Sequence, residues 1–189
     1  RDESRVRVLR QQRRGIANAR NTGLAEARGR YLAHMDDDEY WRPDHLARMV
    51  QFLDYHEHVM LAYADVRKVR GRFVEGRFKP LKEEGHPWCR EFDSASLRRE
   101  NCIPASAAVL RRETRETVGY FDESYRYADD WEYWLRVAEA HPVAHNCTLK
   151  HDGIATVEYR LHQHDQATAR DTDVWAAEFA RIRQRYGRR

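Results

Sequence analysis

The sequence predicts an α/β sandwich in which helices pack on a mixed, mostly parallel sheet. In the first half of the 189 residues, segments with the apolar period of a helix alternate with short apolar runs typical of buried strands. The second half contains the same two kinds of segment in a less regular order. Hydrophobic residues make up 41% of the chain, which is enough for one buried core. We therefore expect a single domain over residues 1–189.

The first elements are predicted from apolar spacing and from residues that begin or end helices. Residues 15–29 carry apolar side chains at helical spacing, and Gly29 is a common helix terminator. Residues 31–35 are mostly apolar and lead directly into three aspartates, as a buried strand does when it ends at an acidic loop. Pro43 suits the first turn of a second helix, which extends to about residue 56.

The same two patterns predict the later elements. Strands are predicted over residues 59–69, 104–110, 143–149 and 154–162, with a loop over residues 80–87. Helices are predicted over residues 129–138 and 175–186. Trp131 and Trp134 share one face of the first of these helices, so they are assigned to the core and not to a sugar-binding surface.

The overall charge and the cysteine count limit the classes of function. A formal net charge of +3 is too small and too dispersed to predict nucleic-acid binding. An RNA-binding alternative would rest on the arginines at both ends, but the sequence lacks an aromatic or Gly-rich RNA signature. Three cysteines, without paired metal-ligand spacing, favour a reducing compartment, so we expect a cytoplasmic location. No apolar run is long enough to span a bilayer.

Three adjacent aspartates, Asp36, Asp37 and Asp38, follow the strand predicted over residues 31–35. Their charges repel one another, and a hard divalent cation would relieve the repulsion. If the strand geometry continues, Asp36 and Asp38 point to one side and Asp37 to the other. Mg²⁺ or Mn²⁺ accepts one or two carboxylates and fills its remaining positions with water and phosphate oxygens. The alternative is a solvated acidic turn before the helix that begins at Pro43.

The triplet lies within the segment GIANARNTGLAEARGRYLAHMDDDEYWRPDHL, which resembles the central block of family 2 glycosyltransferases. In that family a Gly-x-x-x-Ala-Arg-Asn-x-Gly helix leads into a strand, an Asp-x-Asp motif, an aromatic residue and a proline. The resemblance implies a GT-A, Rossmann-like fold in which Asp36 and Asp38 hold Mn²⁺ or Mg²⁺ on a nucleotide diphosphate. It also implies that Arg20 and Asn21 line the nucleotide-sugar cleft and that Asp37 contributes to substrate binding. The alternative for Arg20 is an arginine on a helix surface.

A second segment, VGYFDESYRYADDWEYWLRVA, resembles the family's Gly-x-Phe-Asp-Glu turn, acidic pair and Trp-Leu-Arg helix. The family's catalytic base maps to Asp130, and Asp129 takes the substrate-binding position where Glu is more usual. In an inverting transfer such a carboxylate accepts the proton of the acceptor hydroxyl. At a helix N-terminus we expect Asp130 to be ionised, with a low pKa. The alternative is that one aspartate only caps the helix.

The resemblance extends to a Tyr-Arg-x-His sequence, matched at His162, which shares a strand face with His164. For His162, a contact to the metal or diphosphate and a structural hydrogen bond are both open. The family's first strand and its Asp-Asp-Gly-Ser turn do not occur, and residues 5–9 resemble the strand that follows that turn. We therefore expect an N-terminally truncated domain with an incomplete nucleoside pocket and weak nucleotide affinity.

The resemblance implies a metal-dependent, hexosyltransferase-like enzyme of the inverting type. The resemblance implies a nucleotide-diphosphate sugar as donor and a glycan or lipid-linked saccharide as hydroxyl acceptor, as in polysaccharide biosynthesis. Such an acceptor implies peripheral association with the inner face of a membrane. The alternative is a non-catalytic module that binds a sugar nucleotide or a glycan, and the incomplete nucleoside pocket is the argument for it.

Overall fold

The computed structural model describes residues 3–84, 90–147, 153–162 and 171–187. Its α-helices are α1 (Ile16–Glu26), α2 (His45–Tyr55), α3 (Ser94–Arg99), α4 (Glu113–Val118), α5 (Asp129–Ala140) and α6 (Thr172–Tyr186). Its strands are β1 (Tyr31–Ala33), β2 (Tyr40–Trp41), β3 (Leu61–Ala64), β4 (Val66–Val74), β5 (Arg77–Glu83), β6 (Ala108–Arg111), β7 (Val143–Asn146) and β8 (Val157–Leu161). Helices and strands are interleaved along the chain, which confirms the predicted α/β class.

The described strands form two four-stranded sheets. The first sheet has the order β1-β6-β3-β7, and the second has the order β2-β8-β4-β5. The pairs β3 with β7 and β4 with β8 are parallel, whereas the other four pairs are antiparallel. The mixed pairing is therefore confirmed, but parallel pairs are the minority among the described strands. One antiparallel pair is a hairpin whose two turn residues, Glu75 and Gly76, both have positive φ, as a tight β-turn of this kind requires.

The strand predicted over residues 59–69 is in fact two strands in different sheets. The buried strand β3 belongs to the first sheet, and β4 belongs to the second. Asp65 is the single residue between them, and it is fully buried. The chain therefore passes from one sheet to the other at Asp65.

The larger apolar cluster contains the buried face of α5, and the smaller one contains α2 side chains packed on β3 and β4. Trp131 and Trp134 are completely buried, which confirms their assignment to the core. Their indole N–H groups donate to the carbonyl oxygens of Leu97 at 2.6 Å and Ile103 at 2.9 Å, so neither polar atom is buried without a partner. Among the described residues, no helix has both the length and the apolar character that crossing a bilayer requires.

Three predicted elements differ from the structure. Residues 5–9 form no strand, because Val6 and Val8 are exposed and no described strand pairs with them. Within residues 104–110, a 3₁₀ turn over Ala105–Ala107 precedes β6. The loop predicted from residue 80 begins later, since β5 lies at an edge of the second sheet, where a strand tolerates proline. Residues 85–87 of that loop and residues 148–149 of a predicted strand lie outside the described residues.

Candidate active site

A cleft of about 690 Å³ is lined by α1, the loop after β1, the segment before β6, β8 and the facing parts of α5 and α6. Seven acidic side chains and three arginines line it: Asp36, Asp37, Asp38, Glu39, Glu100, Asp129 and Asp130, with Arg20, Arg160 and Arg183. Because the acidic groups outnumber the arginines, the cleft as a whole attracts cations.

The acidic triplet lies in an irregular loop and not in an extension of the strand. The strand β1 ends at Ala33, and the N–H of Glu39 donates to the carbonyl oxygen of Asp36 at 3.2 Å, which turns the chain. The expectation that Asp36 and Asp38 point away from Asp37 depended on continued strand geometry, and the strand does not continue. All three aspartates line the same cleft.

Arg20 connects the acidic triplet with the start of α5. Its Nη2 donates to both carboxylate oxygens of Asp36 at 3.1 and 3.2 Å, and its Nη1 donates to Oδ2 of Asp129 at 2.8 Å. Burial lowers the pKa of the guanidinium, but Asp129, Asp36 and Asp130 together raise it above its ordinary value. The Arg20 side chain is only 11% exposed, so it is not an arginine of the helix surface.

Asn21, the neighbour of Arg20, is directed elsewhere. Its Nδ2 donates to the carbonyl oxygen of Phe121 and to Glu123, both at 3.0 Å, and its Oδ1 accepts the N–H of Phe121 at 2.9 Å. Asn21 is not among the residues that line the cleft. In the structure, Asn21 therefore stabilises the turn that leads towards α5 and does not lie at the expected substrate surface.

Asp130 lines the cleft and is held through one oxygen. Its Oδ1 accepts the N–H of Trp131 at 2.7 Å and Nδ2 of Asn101 at 3.1 Å. Burial raises the pKa of Asp130 to about 7, an effect that Asp129 reinforces and Arg20 opposes. The expected low pKa is therefore wrong, because desolvation outweighs the helix N-terminus and the arginine. Neither aspartate is the N-cap, since Ala128 occupies that position.

The chain preceding α5 is held by a carboxylate from α6. Glu178 is buried, and its Oε1 accepts the N–H of Arg126 at 2.6 Å. Its Oε2 accepts the N–H groups of Tyr127 at 2.9 Å and Ala128 at 3.1 Å. The N–H of Ala128, the N-cap residue, is one of the groups that a helix itself leaves without a partner. Because Asp129 and Asp130 follow immediately, Glu178 holds the backbone from which both carboxylates project.

His162 and Glu39 complete the surroundings of the triplet. The Nε2 of His162 lies 3.1 Å from Oδ2 of Asp38, so the structure brings this histidine to the predicted metal ligands. His164 lies outside the described residues. Glu39 accepts a hydrogen bond from the Ser106 hydroxyl. Burial raises the pKa of Glu39 to about 9, and Asp36 and Asp38 contribute to the rise, so Glu39 holds a proton at neutral pH.

Trp175 and Phe179 of α6 form an aromatic part of the cleft lining. The two rings are stacked, with 3.8 Å between centroids. Trp175 remains exposed, although its position on the apolar stripe of α6 is typical of a core residue. The cleft therefore combines charged groups with an accessible aromatic surface.

Comparisons with known proteins give a consistent result. The family model described as glycosyl transferase family 2 matches residues 1–119, a range that includes the triplet and ends before Asp129. The "Uncharacterized glycosyltransferase YwdF" of Bacillus subtilis is 26% identical over 129 residues, which are 68% of this chain and 46% of that protein. The "UDP-Glc:alpha-D-GlcNAc-diphosphoundecaprenol beta-1,3-glucosyltransferase WfaP" of Escherichia coli is 28% identical over 151 residues, 79% of this chain and 53% of WfaP. This chain spans about half the length of both relatives.

A solved structure supports the fold. S. aureus TarS 1-349, in complex with UDP-GlcNAc, superposes with a TM-score of 0.56 at 16% sequence identity. The similarity covers 86% of this chain and 43% of the TarS chain. At this identity the likeness concerns the fold alone, and it confirms the predicted GT-A-like class.

Proposed function

Because the chain belongs to glycosyl transferase family 2, we propose that its cleft transfers a sugar from a nucleotide-diphosphate donor to a hydroxyl group of an acceptor. The observation that carries this proposal is the contact of Arg20 with both Asp36 and Asp129. Through it, the two acidic segments of the sequence meet at one cleft. For sugar transfer, the cleft has to bind the diphosphate of the donor and the hydroxyl group of the acceptor.

Asp36 and Asp38 are the proposed ligands of Mn²⁺ or Mg²⁺. Their side chains are 42% and 35% exposed, so their hard oxygen donors are accessible from the cleft. The excess of acidic groups around them would repel a diphosphate in the absence of a divalent cation. When bound, the cation supplies charge neutralisation for the departing diphosphate. We assign His162 to the orientation of Asp38, and the exposed Asp37 to contact with the donor.

Asp130 is the proposed catalytic base. As the acceptor oxygen forms a bond to the anomeric carbon, the bond from that carbon to the diphosphate breaks, and Asp130 takes the hydroxyl proton. Attack from the face opposite the diphosphate inverts the configuration. A pKa of about 7 suits this role, because the group is then both available as a base and basic enough at neutral pH.

Two neighbours are proposed to position this base. Nδ2 of Asn101 donates to Oδ1 of Asp130. We therefore assign Oδ2 as the oxygen that accepts the proton of the acceptor hydroxyl. Asp129 is almost completely buried against Arg20. We therefore propose that Asp129 serves substrate binding by orienting Arg20 and not by touching the substrate itself.

A lipid-linked saccharide is the proposed acceptor. The relative WfaP carries an acceptor of this type in its name, alpha-D-GlcNAc-diphosphoundecaprenol. In this chain, the exposed ring of Trp175, stacked on Phe179, offers an apolar surface on which a sugar ring can pack. A lipid-linked acceptor would place the reaction at the inner face of a membrane, with the protein associated peripherally through that acceptor.

The test is a transfer assay with UDP-, GDP- and dTDP-sugars and a polyprenyl-diphosphate GlcNAc acceptor. We expect release of nucleoside diphosphate and a product heavier by one hexose unit in mass spectrometry. The activity should stop when EDTA removes the metal and return when Mn²⁺ is added in excess. Metal-dependent donor binding without transfer to this or to free glycan acceptors would favour the non-catalytic module instead.

A further inference from the structure

A second group of metal-ligating side chains lies outside the cleft, at the carboxyl ends of β3 and β7. These neighbouring strands of the first sheet are parallel, with Tyr63 opposite His145. Asp65 directly follows β3, and Cys147 directly follows β7. One ring nitrogen of His145, one carboxylate oxygen of Asp65 and Sγ of Cys147 all lie within 4.8 Å of one another.

The three side chains are buried. Asp65 is 0% exposed, the His145 side chain 1%, and Cys147 8%. Nε2 of His145 lies 2.7 Å from Oδ1 of Asp65, and the imidazole is stacked on the ring of Tyr63 with centroids 4.9 Å apart. The position and orientation of the imidazole are therefore fixed by its neighbours.

The other ring nitrogen, Nδ1, lies on the side of the imidazole away from Asp65. Nδ1 of His145 is buried and makes no hydrogen bond within the described ranges of the chain. Oε2 of Glu91 lies 4.0 Å from it, which is beyond hydrogen-bonding distance. A metal ion bound at Nε2 keeps the proton on Nδ1, and metal-bound histidines usually donate that N–H to a carboxylate, for which Glu91 is placed nearby.

The types of ligand atom in this group favour zinc. Imidazole nitrogen, thiolate sulfur and carboxylate oxygen are the usual ligands of zinc, whereas Mg²⁺ prefers oxygen ligands alone. Ligand atoms at about 2.0–2.3 Å from a tetrahedral zinc ion are roughly 3.5 Å apart. Movements of about 1 Å therefore bring the three ligand atoms to these separations, with Nε2 of His145 and Oδ1 of Asp65 moving apart from 2.7 Å, and leave a fourth position for water.

We propose that Asp65, His145 and Cys147 bind one zinc ion. None of the three lines the cleft, so this site is separate from the proposed donor site. Asp65 is the residue at which the chain passes from the first sheet to the second. A zinc ion there joins the ends of β3 and β7 to that crossing point, so its role is structural.

Cobalt serves as a spectroscopic probe of this site in untagged, reduced protein. Co²⁺ bound to a thiolate has a near-ultraviolet charge-transfer band, which Co²⁺ on the oxygen ligands Asp36 and Asp38 does not have. We expect this band to saturate at one equivalent and to disappear when Zn²⁺ is added. Cys147→Ser should abolish the band, whereas Cys102→Ser, the matched change at the other described cysteine, should leave it intact.

Two further measurements keep the proposal testable if Cys147→Ser does not fold. Asp65→Asn preserves the side-chain shape, and we expect it to weaken Co²⁺ binding at least about tenfold. Zn²⁺ should also raise the melting temperature of the wild type and of Cys102→Ser. The proposal is overturned if wild-type protein gives no charge-transfer band, if Cys147→Ser gives the same band, or if Asp65→Asn binds Co²⁺ as tightly as the wild type.

Discussion

Replacing Arg20 with Gln is expected to destabilise the protein by about 3–5 kcal/mol, the usual cost of removing one partner from a buried ion pair. Arg20 is 11% exposed and its partner Asp129 only 2%, so water cannot compensate for the lost guanidinium. Asp36 also loses the two hydrogen bonds that place it in the cleft. The variant should therefore lose both stability and metal-supported donor binding.

Chemical denaturation at several pH values measures this effect. Burial already raises the pKa of Asp129 above its ordinary 3.8, and loss of Arg20 removes the main effect that lowers it. A raised folded-state pKa gives stability that is complete below pH 3.8 and is lost as the pH rises through the folded-state value. The deficit of Arg20→Gln should therefore widen from pH 4 to pH 8.

The matched control is Arg30→Gln, which removes the exposed ion pair with Asp54. These side chains are 64% and 46% exposed, and such pairs contribute about 0–1 kcal/mol. If Arg20→Gln lowers the free energy of unfolding by no more than Arg30→Gln does, then Arg20 does not hold the two acidic segments together.

Replacing Asp130 with Asn is expected to lower turnover by roughly 10²–10⁴-fold, the usual contribution of a general base. The local structure should survive, because the hydrogen bonds from Asn101 and Trp131 both reach Oδ1, and an amide oxygen can accept them equally. Donor affinity should stay within about twofold of the wild type. Steady-state kinetics and a donor titration separate the two effects, and turnover within tenfold of the wild type would remove Asp130 from the role of base.

The pH dependence provides a second measure of the same group. Wild-type turnover should rise as the pH passes through about 7, where Asp130 loses its proton, and a bound divalent cation should shift the rise to lower pH. Since the folded-state pKa is raised from 3.8, the wild type loses stability relative to Asp130→Asn between about pH 4 and pH 7. At pH 8 the variant should therefore be the more stable protein. Asp173→Asn, an exposed change on α6, should alter neither property.

The sequence predicts the elements whose patterns are local. The apolar stripes of α2 and α5 and the buried run of β3 are visible as periodicity, and each forms near its predicted position. The helices α3 and α4 have six residues each, too few to show a period of 3.6, and both were missed. Strand partners are also not encoded locally, which is why the balance of parallel and antiparallel pairs differs from the prediction.

The candidate site shows the same division. The motifs identify Asp36, Asp38 and Asp130, and the structure brings them to one cleft. Asn101 and Glu178 were missed because they act over separations of 29 and 52 residues, through hydrogen bonds that no motif records. The sequence does contain one signal for Glu178. It lies beside Phe179 on a largely apolar stripe, where a carboxylate is unusual unless it has hydrogen-bond partners. The raised pKa of Asp130 depends on burial, which is a property of the folded chain.

The most direct test of a metal-supported donor site is calorimetric titration of the protein with UDP, GDP and dTDP, in the presence and absence of Mn²⁺. We predict that Mn²⁺ strengthens binding of at least one nucleotide by tenfold or more. Asp38→Asn should remove this gain, whereas Asp54→Asn, a matched change on α2, should retain it. If no nucleotide binds, or if Asp38→Asn shows the same gain with Mn²⁺ as the wild type, the proposed donor site is contradicted.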